Sequence, residues 1–321
     1  MSPILSRAGF SFGFGKRKVG SGGPNKPLTI ELLMVGGGGG GGSAGGGGGG
    51  GGAGALIYKS ALPIVSGSLY ATVVSPGASG TPNSLTYSCS GNEGTASEFG
   101  SGLVPSYLQA PGGGYGASGC APAGYSNPGG PGGSGGGGAQ RNQATRSTAT
   151  GAPGGSPGVD SPNAGWGNSG GTGAPGPGAD AGGGGGGSGT GGQNAPGPAT
   201  GGVGGEGLQY PQFTGPLIGV PSLAPLNGYF AAGGGGGPGA AGGTGGGPAG
   251  NFGNPGVANS GSGGGGGNGN APGGGNGGSG IVVLRYLASF DAATSAPNAI
   301  VSLPGNGYRY YTWTSPGSIT F

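Results

Sequence analysis

Glu31, Glu93, Glu98, Asp160, Asp180, Glu206 and Asp291 are the only carboxylate side chains in this chain of 321 residues, and histidine is absent. Without histidine there is no Ser-His-Asp or Cys-His arrangement, which excludes acyl transfer by those routes. Glycoside hydrolysis needs two carboxyl groups several ångströms apart. Glu93 and Glu98 are near enough in sequence to meet across a loop, although a solvated loop pair is the simpler reading. Cys89 and Cys120 cannot make a four-ligand zinc site without histidine. Two cysteines are no disulfide framework, and pairing and free thiols both stay open. The phosphate-loop pattern fails, because Gly15-Lys16 is followed by Arg17 and Phe10 stands where the first glycine belongs. Dinucleotide fingerprints match at many glycines, but none lies between a clear strand and a helix. No enzymatic activity, cofactor or metal is expected.

What remains is recognition by surface groups. Trp166 sits in a polar loop, Asn163 to Ser169, while Tyr210 and Phe213 flank Pro211 and Gln212. Arg141, Asn142 and Arg146 share a glycine-free stretch. Aromatic rings and planar polar groups suit sugar or protein surfaces. These six residues are the candidate receptor contacts, with local packing at the ends of glycine blocks as the competing role for the three aromatics. The N-terminal stretch 1–27 holds Arg7, Lys16, Arg17, Lys18 and Lys26 and no acid. Its Phe10, Phe12 and Phe14 alternate with Ser11 and Gly13, too short a pattern for an independent strand. Such a segment can add to the edge of another protein's sheet. Phe10, Phe12, Phe14, Lys16, Arg17 and Lys18 are therefore the candidate anchoring residues. The rest of the chain shows no basic stripe, so nucleic acid is not an expected partner.

These groups must be carried by an unusual scaffold. The chain has 102 Gly and 29 Pro, with only 5% charged and 31% apolar residues. Ordering a residue costs roughly 1–2 kcal/mol, and glycine has no side chain to bury in return. An α/β enzyme and a helical bundle are both unlike this composition. Collagen needs glycine at every third position, and the runs Gly36 to Gly42 and Gly45 to Gly52 break that register. No apolar run approaches the ~20 residues of a membrane span, and the basic N-terminus lacks the apolar stretch of a secretory signal. The chain is expected to be assembled where it is made.

Strands are expected at 28–35, with Ile30, Leu32 and Met34 on one face, and at Ala55 to Tyr58, Leu69 to Val74, Leu85 to Ser88 and Ile281 to Leu287. A C-terminal hairpin is expected from Tyr308 to Thr314 and Ser318 to Phe321, joined by a type II turn at Ser315-Pro316-Gly317-Ser318. No segment has the capped 3.6-residue pattern of an α-helix. Between these strands lie glycine blocks, the longest at 129–138, 182–192, 233–247 and 261–280. Glycine can adopt the extended threefold polyproline II form, at about 3.1 Å per residue, and its backbone groups then point outward. Without side chains such helices can approach until those groups pair between them. Disordered chains usually carry far more charge than this one. The expected fold is mainly β, with polyglycine II helices in a lattice flanked by short strands and little or no α-helix.

The order of these pieces resembles the glycine-rich domain of bacteriophage tail-fibre and adhesin proteins. That pattern opens with a strand entering polyglycine, here LTIELLMVGGGGGGG (28–42), and continues through GNEGTASEFG (91–100) and GGGYG (112–116). GGVGGEGLQY (201–210) and YFAAGGGGG (229–237) follow, then GGSGIVVLRY (277–286) and the aromatic YYTWTSPGSITF (310–321). The resemblance covers about residues 28–321 and leaves 1–27 outside. Segment 206–230 departs from the family in being longer and more apolar, so loop lengths do not carry over. The resemblance implies stacked polyglycine II helices whose connecting loops touch the host surface.

The expected organisation is an anchoring segment at 1–27, a β-rich opening at 28–90, a glycine-rich body at 91–287 and a C-terminal hairpin segment at 288–321. The expected function is that of a phage virion protein, a tail fibre or tail-tip adhesin, assembled in the host cytoplasm. Its partners would be other tail or baseplate proteins through the N-terminus, and a bacterial surface polysaccharide or outer-membrane protein through the loops, with a homotrimer as the assembly. A capsid or tail decoration protein, and a cellular glycine-rich adhesin or wall protein, are the alternatives.

Overall fold

The structure, a computed structural model, describes residues 25–43, 47–80, 90–101, 107–118, 128–139, 154–174, 181–268 and 273–321. The expected strand at Leu85 to Ser88 and both cysteines lie outside these residues. The described chain is mainly β. Its strands are β1 (Thr29–Val35), β2 (Leu56–Pro63), β3 (Leu69–Val73), β4 (Ser97–Ser101), β5 (Leu108–Ala110), β6 (Leu208–Gln209), β7 (Tyr229–Phe230), β8 (Ile281–Leu287), β9 (Ile300–Ser302), β10 (Tyr308–Trp313) and β11 (Gly317–Thr320). Helical structure among the described residues is two short 3₁₀ segments, Pro211–Phe213 and Pro221–Leu226. Each begins with proline, whose fixed φ suits a first helical position.

The strands form a five-stranded sheet in the order β2-β1-β8-β10-β9 and a four-stranded sheet in the order β11-β3-β4-β5, all antiparallel. Alternation along each strand decides which layer a residue joins. Ile30, Leu32 and Met34 of β1, with Val282, Leu284, Tyr286, Tyr311 and Trp313, face the second sheet. There they meet Tyr70, Phe99, Leu108, Ile319 and Phe321. The opposite face of the same strands, Leu33, Val35, Leu56, Ile281, Val283 and Tyr310, is buried too. The long apolar segment 208–230 covers it with Leu208, Tyr210, Phe213, Ile218, Leu223 and Phe230. The five-stranded sheet is thus the middle of three layers, and its near-continuous apolar runs reflect burial on both faces.

The expected C-terminal hairpin is not formed. β10 pairs with β8 and β9, whereas β11 pairs with β3 in the other sheet. Gly317 keeps out of the positive φ region that a type II turn requires at its third position. The chain instead crosses between layers, so that Trp313 and Ile319 meet in one core from opposite sides. As a hairpin they would share a sheet and leave β3 without its neighbour.

Where β1 ends, the glycine block simply continues, and its pairing changes period. Gly36, Gly39 and Gly42 donate N–H to the carbonyls of Ala55, Gly52 and Gly49. Gly37 and Gly40 donate to Thr95 and Asn92, and Gly38 and Gly41 to Gly278 and Gly275. Successive donors therefore turn through three directions with a repeat of three residues. The carbonyls do the same in other directions: Gly37 and Gly40 accept from Gly113 and Gly116, Gly39 and Gly42 from Gly264 and Gly267, and Gly38 from Ala78. A strand has two in-plane neighbours; this segment has six around it. Gly48 to Gly54 behaves alike, its donors visiting Gly267, Ala117 and Gly183 in turn and then Gly264, Gly114 and Gly186.

Glycine is required here for close approach, not for backbone freedom. None of Gly36–Gly42 takes a positive φ. A Cβ on Gly39 would fall on the carbonyl oxygen of Gly114, and one on Gly40 on that of Ser79. Conformational freedom matters at the reversals instead. Gly261 turns the chain beneath Val35 with φ of +68°, and a side chain there would also strike Val35.

Candidate functional site

Because the glycine segments prolong the strands, the molecule has two chemically different ends. Val35 of β1 pairs with Leu56 and Ile281, so β1, β2 and β8 all enter the glycine lattice at the same end of the sheet. The lattice reverses away from the sheets at turns such as 196–200 and 237–239, where Gly201 N–H donates to the Pro238 carbonyl and Gly237 N–H to the Gly48 carbonyl. The opposite end holds Thr29, Pro63 and Leu287, and it receives the N-terminal segment. There Asn25 N–H donates to Asp291 Oδ2 at 2.7 Å, Asp291 N–H donates back to the Asn25 carbonyl at 2.8 Å, and Lys26 Nζ donates to the Ala292 carbonyl. Leu28, 81% exposed, and the exposed Val65, Leu69 and Leu287 crowd the same end.

The sequence-predicted residues are distributed unevenly. Tyr210 and Phe213 are fully buried under the five-stranded sheet, and such rings offer a receptor no surface. The expectation that they are contacts is corrected. Pro211 starts the 3₁₀ turn that swings both rings inward, Tyr210 onto Tyr58 at 4.7 Å and Phe213 edge-on to Tyr310 at 6.3 Å. Trp166 is half-buried and stays near the sheet. Its N–H and carbonyl pair with Leu56, its ring packs against the second core, and Gly155 lies against the indole face. Arg141, Asn142 and Arg146 lie outside the described residues, as do Phe10, Phe12, Phe14, Lys16, Arg17 and Lys18.

Glu93 is exposed, while Glu98 accepts from Gln109 Nε2 at 3.0 Å. Other acids satisfy backbone amides: Asp160 that of Ser60 and Glu206 that of Thr244.

The densest polar cluster surrounds Glu31, where β2 is bulged opposite β1. Glu31 Oε2 accepts from Arg285 Nε at 2.6 Å, the one ion pair among the described residues. Its Oε1 accepts from Tyr58 Oη at 2.8 Å and from Gln212 Nε2 at 3.0 Å. Arg285 Nη1 also donates to Tyr310 Oη at 3.2 Å, and Asn306 Nδ2 donates to the same oxygen at 2.9 Å. The Tyr308 ring centroid lies 4.1 Å from Arg285 Cζ. Both charged side chains are 13% exposed. The cluster ties β1, β2, β8, β10 and the covering segment together.

The family model of the glycine-rich domain matches residues 21–287. The chain belongs to that family. The match starts inside the stretch 1–27 and ends with β8. No curated protein matches the chain. No helix among the described residues of this glycine-rich domain is long and apolar enough to cross a membrane.

The Glu31 cluster was missed in the sequence, yet it left a trace there. Glu31 and Arg285 are lone charges of opposite sign in apolar strands, TIELLMV and IVVLRYL. Two such charges in buried strands are stable only as a pair.

The tyrosines give the glycine-rich domain an expected pH dependence. Burial, then the hydrogen bond and charge of Glu31, push the Tyr58 hydroxyl above the ordinary tyrosine value of about 10. Burial raises Tyr210, helped by Tyr58 and Asp160, and raises Tyr286, helped by its bond to Tyr311. The folded state thus holds these protons more tightly than the unfolded chain. Their contribution is complete below about pH 10 and is lost as pH rises through the raised values. Urea midpoints at pH 8 and pH 11 should show the loss, and Tyr58→Phe should reduce it, leaving the part due to Tyr210 and Tyr286. Equal midpoints would contradict this reading.

Proposed function

We propose that this chain is a non-enzymatic bacteriophage virion protein, a tail fibre or tail-tip adhesin that recognises the host cell. In this reading the glycine segments are polyglycine II helices, and the lattice is a stiff arm between an attachment end and a recognition end. The observation that carries the proposal is the collinearity of strands and glycine segments. It sends the N-terminal entry to one end of the molecule and the lattice turns at 196–200 and 237–239 to the other. The threefold repeat of donors along Gly36–Gly42 supports the helix type, because polyglycine II directs its N–H groups outward at three residues per turn.

A lattice of backbone bonds discriminates little, so recognition falls to side chains where the chain turns. Arg141, Asn142 and Arg146 remain the proposed contacts for a surface polysaccharide or outer-membrane protein, since guanidinium groups bond carboxylate or phosphate in forked fashion. The segment 1–27 would join tail or baseplate proteins, and fibres of this kind are commonly trimers.

The test is phage adsorption with Arg141→Ala and Arg146→Ala together, at unchanged particle assembly, alongside gold labelling of the chain in intact virions. The expected results are label at the tail and adsorption reduced about thirtyfold, the effect of losing a contact worth about 2 kcal/mol. Label in a regular array on the head shell, with normal adsorption, would instead identify a decoration protein.

A further inference from the structure

The lattice has an unfilled place, and its walls define what fits there. Along the segment 190–195 the donors again follow a repeat of three. Gly192 and Ala195 donate to Ser169 and Thr172, and Thr190 and Gln193 donate to Glu206 and Val203. The third row, the N–H groups of Gly191 and Asn194, has no partner among the described residues. The neighbouring segment contributes the unpartnered N–H and carbonyl of Gly170. Both walls face one groove of about 350 Å³, lined by Ser169, Gly170, Gly191, Gly192, Gln193 and Asn194. None of these six carries a charge.

We infer that this groove takes an extended glycine-rich segment of a second copy of the chain, docked as one more member of the lattice. An edge row of unpartnered N–H groups is to this lattice what an open edge strand is to a sheet. The walls offer backbone donors and acceptors and the uncharged side chains of Ser169, Gln193 and Asn194, with no ionic group, which disfavours an acidic or basic partner. The occupant must also approach as closely as the existing members do. Within the lattice a Cβ on Gly171 would fall on the Gln193 carbonyl, and one on Gly192 on the Gly184 carbonyl. Only a glycine-rich backbone meets that condition, and this chain is itself such a backbone, with 102 Gly. Groove and insert are different surfaces, so the contact is heterologous and copies close into a ring or extend as a filament. The inference rests on the threefold reading of the glycine segments and not on the adhesin role.

The experiment follows amide exchange and sedimentation of the full chain across a wide concentration range. Association is expected, with exchange at Gly170, Gly191 and Asn194 slowed at least about tenfold as it proceeds. Gly191→Gln, at an exposed position where the added Cβ meets only the Ser169 carbonyl oxygen at 3.2 Å and the Asn168 Cβ at 4.0 Å, should abolish both effects while leaving the Gly51 amide protected. A monomer at every concentration would overturn the inference. So would association that leaves the three amides unchanged, since another surface would then be responsible. Rapid exchange at Gly51 in the unaltered chain would instead show that the threefold lattice itself is wrong.

Discussion

Gly51→Ala is expected to destabilise the chain by about 3 kcal/mol, at the upper end of overpacking substitutions. Gly51 donates to the Gly264 carbonyl at 2.8 Å and accepts from the Gly234 amide at 3.0 Å. A Cβ at this position would lie on the Gly39 carbonyl oxygen and 3.0 Å from the Gly264 nitrogen. Every group it meets is backbone, so no side chain can rotate away. Relief requires parting segments that are bonded to one another on several sides. Ala ordinarily stabilises by reducing the freedom of the unfolded chain, by about 0.4–1 kcal/mol. Gly197→Ala isolates that opposite effect, because nothing lies within 4 Å of its added Cβ and its φ is not positive. Urea denaturation of the two variants should give shifts of opposite sign. A Gly51→Ala chain as stable as the parent would mean that the glycines are not in contact.

Arg285→Ala should cost about 3–5 kcal/mol, because it leaves the Glu31 carboxylate buried without its counter-charge. Glu31 would keep Tyr58 and Gln212, which hydrogen-bond the carboxylate but do not neutralise it. Tyr308 would lose the guanidinium 4.1 Å from its ring centre. The double variant Glu31→Leu, Arg285→Met removes both charges and should recover a large part of the loss. Recovery would be incomplete, since Tyr58 and Gln212 lose their acceptor. If the double variant is no better than the sum of the two single ones, the pair is not coupled and the cluster is not a clamp.

The long apolar strands were legible, whereas the short β4, β5 and β9 were not expected. β1 and β8 could be bounded almost to the residue, because an apolar run meets glycine abruptly at Val35 and at Ile281. Partners of strands were less legible. Tyr308–Trp313 and Gly317–Thr320 read as a hairpin, since the four residues Ser315 to Ser318 favour a tight turn by composition. The competing effect was burial: Trp313 and Ile319 fill one core from opposite layers, which no local signal reports. In segment 208–230, Tyr210 and Phe213 read as candidate contacts, with local packing as the competing role that the structure favours. The segment's apolar residues are spaced irregularly, because four prolines, Pro211, Pro216, Pro221 and Pro225, break any period, and only the empty face of the central sheet explains their burial. The glycine lattice was legible as an expectation of order, but not its neighbours. Glycine carries no side-chain pattern, so nothing in Gly36–Gly42 indicates that it meets residues 52, 92 and 275.

Residue-resolved amide exchange across Thr29–Gly42 tests the central claim most directly, because this stretch passes without interruption from strand to glycine lattice. The account predicts that Gly37 to Gly41 exchange as slowly as Leu32 to Met34, opening only when the whole fold opens. Glycine amides exchanging at open-chain rates beside protected strand amides would contradict it, leaving a β-sandwich with glycine-rich tethers and no lattice.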